Sequence, residues 1–219
     1  MTGNNTTVQP TQINLLRHGE IDGPAALYGR TDVRLSEHGR QQMQRQSRNL
    51  PYIDNIISSP LRRCSDFAAE LAQSHELNVQ IKPAFQECDF GEWDGIQFNE
   101  QSQHWPLMTS FWQNPDQHTP PQGESLKEFH TRVINGWEAL LQHDKNQRSL
   151  VICHGGVIRQ ILAHVLPVDW QDAKWYSQLQ IGYGSLTRIT LPAHDGAVAR
   201  VDFIGLPADF THENLNGVM

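Results

Sequence analysis

Ile13-Asn14-Leu15-Leu16-Arg17-His18-Gly19-Glu20 sets the reading of the whole chain. Its first four residues form a short, mostly apolar run of strand type. The run passes into a cation, a histidine and a glycine with no turn between. Ser149-Leu150-Val151-Ile152-Cys153 is the most apolar strand candidate, and it too meets a histidine and glycines, His154-Gly155-Gly156. Asp54-Asn55-Ile56-Ile57-Ser58 reads as a third strand, ending at Ser59-Pro60 with Arg62 and Arg63 just beyond. Three strand ends thus offer cations and histidines to one edge of a sheet.

Helical patterns lie between these strands. Pro60 suits a first helical position after a Ser cap, which predicts a helix over about residues 61–73. Val157, Ile158, Ile161, Leu162 and Val165 follow helical spacing after the second histidine. The longest helix starts at Ser125, where Ser125-Leu126-Lys127-Glu128 fits a capping box. Leu126, Phe129, Val133, Trp137, Leu140 and Leu141 then recur on one face, which reads as a core-facing stripe. Ser36 to Leu50 is a polar, Gln-rich helix candidate. Asn78 to Ile81 is a weak strand. Ser185 to Leu191 and Val198 to Ile204 read as late strands, a hairpin around Asp195-Gly196.

Alternating strands and helices predict an α/β fold, a three-layer α/β/α sandwich with a mostly parallel central sheet. In such sheets ligands collect at the carboxyl ends of the strands. Residues 12–219 read as a single domain behind a polar leader, 1–11, with no apolar stretch of signal-peptide type. Residues 97–122 carry four prolines with Trp105, Phe111 and Trp112, and read as an irregular, lid-like insertion. His104 and Trp105 within it could contact a leaving group, with packing the plainer reading.

Composition narrows the class of function. The chain has 219 residues, 38% of them hydrophobic and 19% charged, enough for a buried core. Lys+Arg 17 against Asp+Glu 24 leaves a net charge of −7, which argues against nucleic acid and anionic membranes as partners. Cys64, Cys88 and Cys153 show no metal or disulfide spacing and read as free thiols of a cytoplasmic protein. The oligomeric state is open, a homodimer among the options.

The strand-end residues suit phosphoryl transfer. A phosphate monoester needs charge neutralisation and positioning, and Arg supplies bidentate donors to its oxygens. Glycine after each histidine lets the backbone approach, and a following helix adds N–H donors. A neutral His can attack phosphorus, and the leaving alkoxide then needs an acid. Taken singly, each residue has a plainer reading. His18 can be a rim histidine, Arg17 and Arg63 surface ion-pair partners, His154 a turn residue and Glu87 one loop carboxylate among many. Their coincidence at separate strand ends favours the chemistry.

Five blocks in order also resemble the histidine phosphatase superfamily, in its phosphoglycerate-mutase-like branch. They are Leu16-Arg17-His18-Gly19-Glu20, Ser59-Pro60-Leu61-Arg62-Arg63, Glu87-Cys88-Asp89-Phe90-Gly91-Glu92-Trp93-Asp94-Gly95, Pro121-Gln122-Gly123-Glu124-Ser125 and Cys153-His154-Gly155-Gly156-Val157-Ile158-Arg159. The resemblance implies a phosphoglycerate-mutase-like fold and residue roles. His18 would be the nucleophile. Arg17, Arg63 and His154 would surround the phosphoryl group. Glu87 would protonate the leaving oxygen and then activate water. Tyr28-Gly29-Arg30-Thr31-Asp32 would line the substrate side, with Gly29 and Arg30 as contacts and Gly155 beside the phosphate. Two arginines near His18 should oppose its protonation.

The chain departs from the family after the first block. Ile21-Asp22-Gly23-Pro24 replaces a Thr or Ser followed by Trp-Asn, so the family's Asn contact to phosphate must come from elsewhere. The expected activity is a metal-independent phosphomonoesterase acting on a small phosphorylated metabolite without a cofactor. The similarity to α-ribazole phosphatase-like proteins around residues 29–39 and 59–64 suggests α-ribazole 5′-phosphate. Three alternatives are a cofactor-dependent phosphoglycerate mutase, a phospho-ligand binding module without turnover, and a metal hydrolase. The last lacks its motif, because neither His75-Glu76 nor His212-Glu213 is followed by a second His at HExxH spacing. Gly182-Tyr183-Gly184 lacks the third glycine of a dinucleotide loop.

Overall fold

β1, Thr11–Arg17, runs through the middle of a six-stranded sheet. The computed structural model describes residues 9–50, 52–100, 103–194, 196 and 198–209. The helices and other strands are α1 Glu37–Ser47, β2 Asn55–Ser58, α2 Arg62–His75, β3 Val79–Ile81, α3 Trp105–Gln113, α4 Leu126–His143, β4 Arg148–Cys153, α5 Gly155–Val165, α6 Ala173–Gln178, β5 Leu186–Leu191 and β6 Arg200–Leu206. The sheet order is β3-β2-β4-β1-β5-β6. β3, β2, β4 and β1 are parallel, while β5 and β6 add an antiparallel edge. The α/β sandwich with a mostly parallel sheet is therefore as expected.

The central strands are apolar on both faces because both are covered by helices. Leu15, Ile57 and Val151 point to the face covered by α4 and α5, where Phe129, Val133, Trp137, Ile158 and Ile161 pack. Their strand neighbours Leu16, Ile56, Leu150 and Ile152 point to the other face, against Met43 of α1 and Cys64, Phe67 and Ala68 of α2. This alternation of burial is the period of two that an extended strand imposes. The Ser125 capping box is formed, with both of its bonds present.

Four local expectations change. The α2 helix starts at Arg62, with Leu61 as its N-cap and no capping side chain. Ser59, the expected cap, points its hydroxyl at His154 Nε2 instead, 2.8 Å away. The first-turn N–H of Arg62 is taken by Asp32 Oδ1 at 2.7 Å. Residues 97–122 are less irregular than their prolines suggested. Pro106 sits in the first turn of α3, where its missing N–H costs nothing. α3 buries Met108 and Phe111 against Trp93. Thr11, placed in the leader by sequence, is the first residue of β1; residues 1–8 of that leader lie outside the described residues. Of the hairpin turn, Asp195 lies outside them too, while Gly196 takes a left-handed φ of 75°.

Candidate active site

The carboxyl ends of β1, β2 and β4 meet on one edge. The His18 N–H donates to Cys153 O at 2.9 Å, and the Ser59 N–H donates to Ile152 O at 3.0 Å. These bonds continue the sheet register past the strand ends, so His18, Ser59 and His154 emerge side by side. Gly184 N–H donates to His18 O at 3.1 Å, pinning the same residue from the β5 side. The His18 and His154 rings stand edge to face, 5.2 Å between centroids.

Each histidine has a defined tautomer. His18 Nδ1 lies 2.8 Å from Gly19 O. A carbonyl only accepts, so Nδ1 carries the proton and the Nε2 lone pair is available. No described residue bonds to that Nε2. His154 Nδ1 accepts from Arg63 Nε at 3.3 Å, so its proton sits on Nε2, facing Ser59 Oγ. Burial first, then the charges of Arg17 and Arg63, hold the His18 pKa well below the usual histidine range. Burial and Arg63 do the same for His154. Both rings are neutral near pH 7.

The arginines differ in their duties. Arg63 is fully buried and binds the backbone: Nη1 donates to Thr31 O at 2.9 Å, and Nη2 to Tyr28 O at 2.7 Å and Gly29 O at 2.9 Å. It ties the 28–31 segment to the sheet edge. Arg17 lies over the Tyr183 ring, 3.9 Å from its centroid, and one Nη1 N–H donates to Ile181 O. Its Nε is buried with no hydrogen-bond partner. A side chain on Gly155 would meet that Nε at 3.4 Å and Arg159 Nη1 at 3.3 Å, so both guanidinium groups flank the start of α5. The arrangement concentrates positive charge in a chain of net −7.

Glu87 is held at the same helix start. Its Oε2 accepts from Gly156 N at 3.0 Å and its Oε1 from Cys88 N at 3.0 Å. Arg132 of α4 braces this loop by donating to Ala84 O at 2.8 Å, Gln86 O at 3.1 Å and Glu87 O at 3.3 Å, while pairing with Glu124. Glu124 in turn accepts the Asp89 N–H at 2.9 Å. Gly29 is buried because its backbone presses on the Cys88 carbonyl, which an added Cβ would meet at 2.0 Å. Arg30 pairs with Asp89, 3.4 Å from Nε to Oδ2, and donates to Gln86 Oε1. Its own N–H and that of Thr31 are held by Asp94 at 2.6 and 2.9 Å.

The structure thus brings Arg17, His18, Arg63, Glu87, His154 and Gly155 together, with Gly29 as a backbone support and Arg30 ion-paired at the rim. Sequence reasoning passed over Tyr183, Arg159 and Arg132. Arg159 lies one helical turn beyond Gly155, so helix periodicity placed it on the site face. Tyr183 and Arg132 carry no comparable signal, since only the tertiary fold sets them beside Arg17 and under the Glu87 loop.

Residues 13–203 match the family model of the histidine phosphatase superfamily (branch 1). The chain is 32% identical over 158 residues to the bifunctional protein Rv2228c of Mycobacterium tuberculosis, covering 70% of this chain and 43% of that protein. It therefore spans less than half the length of that relative. It is 30% identical over 176 residues to the adenosylcobalamin/alpha-ribazole phosphatase of Escherichia coli, covering 77% of this chain and 85% of that one. The solved structure of Bacillus stearothermophilus YhfR superposes with a TM-score of 0.80 at 22% identity, covering 90% of this chain and 97% of that chain, a likeness of fold. With a histidine at two adjacent strand ends, each followed by glycine, and a family match over residues 13–203, the chain belongs to the histidine phosphatase superfamily, branch 1.

Proposed function

We propose that this protein is a metal-independent phosphomonoesterase that hydrolyses a small phosphorylated metabolite through a phosphohistidine on His18. The observation that carries the proposal is the His18 tautomer. Nδ1–H is committed to Gly19 O, which leaves the Nε2 lone pair free on a ring whose protonation the Arg17 charge opposes. In the first step the Nε2 pair attacks phosphorus and the P–O bond to the leaving alcohol breaks. Glu87 serves as the general acid, passing a proton to that oxygen as the bond breaks. In the second step water attacks phosphorus, its proton passes to the Glu87 carboxylate, and the P–N bond returns its pair to Nε2. Arg17 and the start of α5 hold the charge on the phosphoryl oxygens, while Arg63 fixes His154 and the 28–31 segment around them.

The E. coli relative's name supports α-ribazole 5′-phosphate as one substrate, and the free buried thiols support a cytoplasmic setting. Among the described residues no helix is long and apolar enough to cross a membrane. The test is phosphate release from a panel of α-ribazole 5′-phosphate, 3-phosphoglycerate and sugar phosphates with a chelator present, alongside acid-labile labelling of the protein. Release that survives the chelator and vanishes in His18→Ala is expected. Turnover retained in that variant, or phosphoglycerate interconversion faster than phosphate release, overturns the reading.

A further inference from the structure

A cavity of about 330 Å³ opens beside Glu87, on the side of the α5 start where a leaving group must depart. One end is polar: Glu87, Gly156 and Arg159 border it. The remainder is formed by Leu27, Phe90, Phe111, Trp112, Phe129 and Tyr176. Most of the side-chain polar atoms in its wall are already engaged. Tyr176 Oη accepts from Gln160 Nε2 at 2.9 Å and donates to Trp170 O at 2.5 Å. Ser177 Oγ donates to Lys174 O at 3.3 Å. Arg159 commits Nε and Nη2 to Leu179 O at 3.0 and 2.7 Å, and its Nη1 turns toward Gly155. Both Glu87 oxygens accept backbone N–H groups. Beyond the scissile oxygen, the wall offers rings and aliphatic carbon rather than hydrogen bonds.

We infer that the leaving alcohol of the substrate carries an aromatic or bulky apolar group that fills this cavity. The inference rests on the phosphomonoesterase reading and names its substrate class. A polyhydroxylated alcohol would surrender hydration there without finding partners, whereas a flat ring would exchange water for Phe90, Trp112 and Phe129. Trp112, 42% exposed, and Phe111 both belong to α3, so α3 supplies part of the cavity wall. Volume also fits, since small-ligand sites begin near 300 Å³.

The test compares 3-phenylpropyl phosphate with glycerol 3-phosphate, two primary alkyl esters that differ mainly in the polarity of the alcohol. The phenylpropyl ester is expected to show at least tenfold higher kcat/KM. Trp112→Gln, at a position 42% exposed and so tolerant of change, is expected to reduce that ratio at least fivefold. Equal or lower kcat/KM for the phenylpropyl ester overturns the inference alone, as does a preference that Trp112→Gln leaves intact. Absence of phosphate release from both esters and from p-nitrophenyl phosphate overturns the phosphomonoesterase reading, and the inference with it.

Discussion

Glu87 and Gly156 are joined by a 3.0 Å hydrogen bond from the Gly156 N–H to Glu87 Oε2, so Glu87 and His154 are positioned by one helix start. A Cβ on Gly156 would lie 2.2 Å from Glu87 Oε1. The obstructing atom is the tip of a flexible side chain, so the carboxylate moves more easily than the fold. Gly156→Ala should therefore reduce kcat for an alkyl ester by about 10- to 100-fold, within the usual worth of a general acid, while shifting Tm by only a few degrees. An aryl ester, whose leaving group needs less protonation, should lose much less. Steady-state kinetics on the two ester types beside a thermal melt would show this, and a large Tm drop with kcat intact would contradict it.

The neutral state of the two buried histidines predicts a particular pH dependence. In the unfolded chain each takes up a proton near pH 6.5. In the folded chain burial and the arginines delay that uptake to lower pH. Their contribution to stability is thus complete above about pH 6.5 and is lost as pH falls below it toward the depressed folded values. The slope approaches about 1.4 kcal/mol per pH unit for each histidine. Urea titrations between pH 7 and pH 5 should show this loss, and His154→Asn should flatten it. If His18 is the nucleophile proposed, the acidic limb of kcat/KM should likewise lie well below pH 6.5, because His18 stays unprotonated there.

Arg63→Lys should be costly to folding as well as to turnover. A lysine cannot reproduce the fork that serves Tyr28 O, Gly29 O, Thr31 O and His154 Nδ1. Buried carbonyls left without partners imply a loss of about 2–4 kcal/mol. Equilibrium denaturation measures it, and a change below about 0.5 kcal/mol would show that the fork is dispensable.

Tyr183 should affect phosphate affinity through Arg17. Its ring supports the guanidinium at 3.9 Å, a contact worth about 0.5–2 kcal/mol. Tyr183→Ala should raise the inhibition constant for inorganic phosphate by about 2- to 30-fold, and Tyr183→Phe should restore most of it. An equal defect in both variants would assign the effect to the hydroxyl.

The parts of this molecule readable from sequence are those written as local patterns. The central strands were legible because burial on both faces makes continuous apolar runs, and α4 because its cap and stripe agree. His18 and His154 were legible because each follows such a run directly. Ser59 shows where local reading fails: its place before Pro60 signals a cap, yet its hydroxyl serves His154, and Asp32 supplies the bond to the helix from 30 residues upstream. Arg30 fails differently. A cation near the mouth is visible in sequence, but Asp89 and Gln86, which bind it, become its neighbours only through the fold. α3 was hidden by its proline, a breaker everywhere except in a first turn.

The position of β1 also governs how the protein comes to exist. Arg17 pairs with Cys153, and Leu16 with Leu186, so the strand that leads into His18 gains its neighbours from residues synthesised more than a hundred positions later. Until β4 and β5 have emerged, Ile13 to Leu16 is an unpaired apolar ribbon, open to association with other nascent chains. The His18 and His154 strand ends should therefore come together late and at once during synthesis. Chains ending before β5 should yield aggregate instead of a partly assembled site.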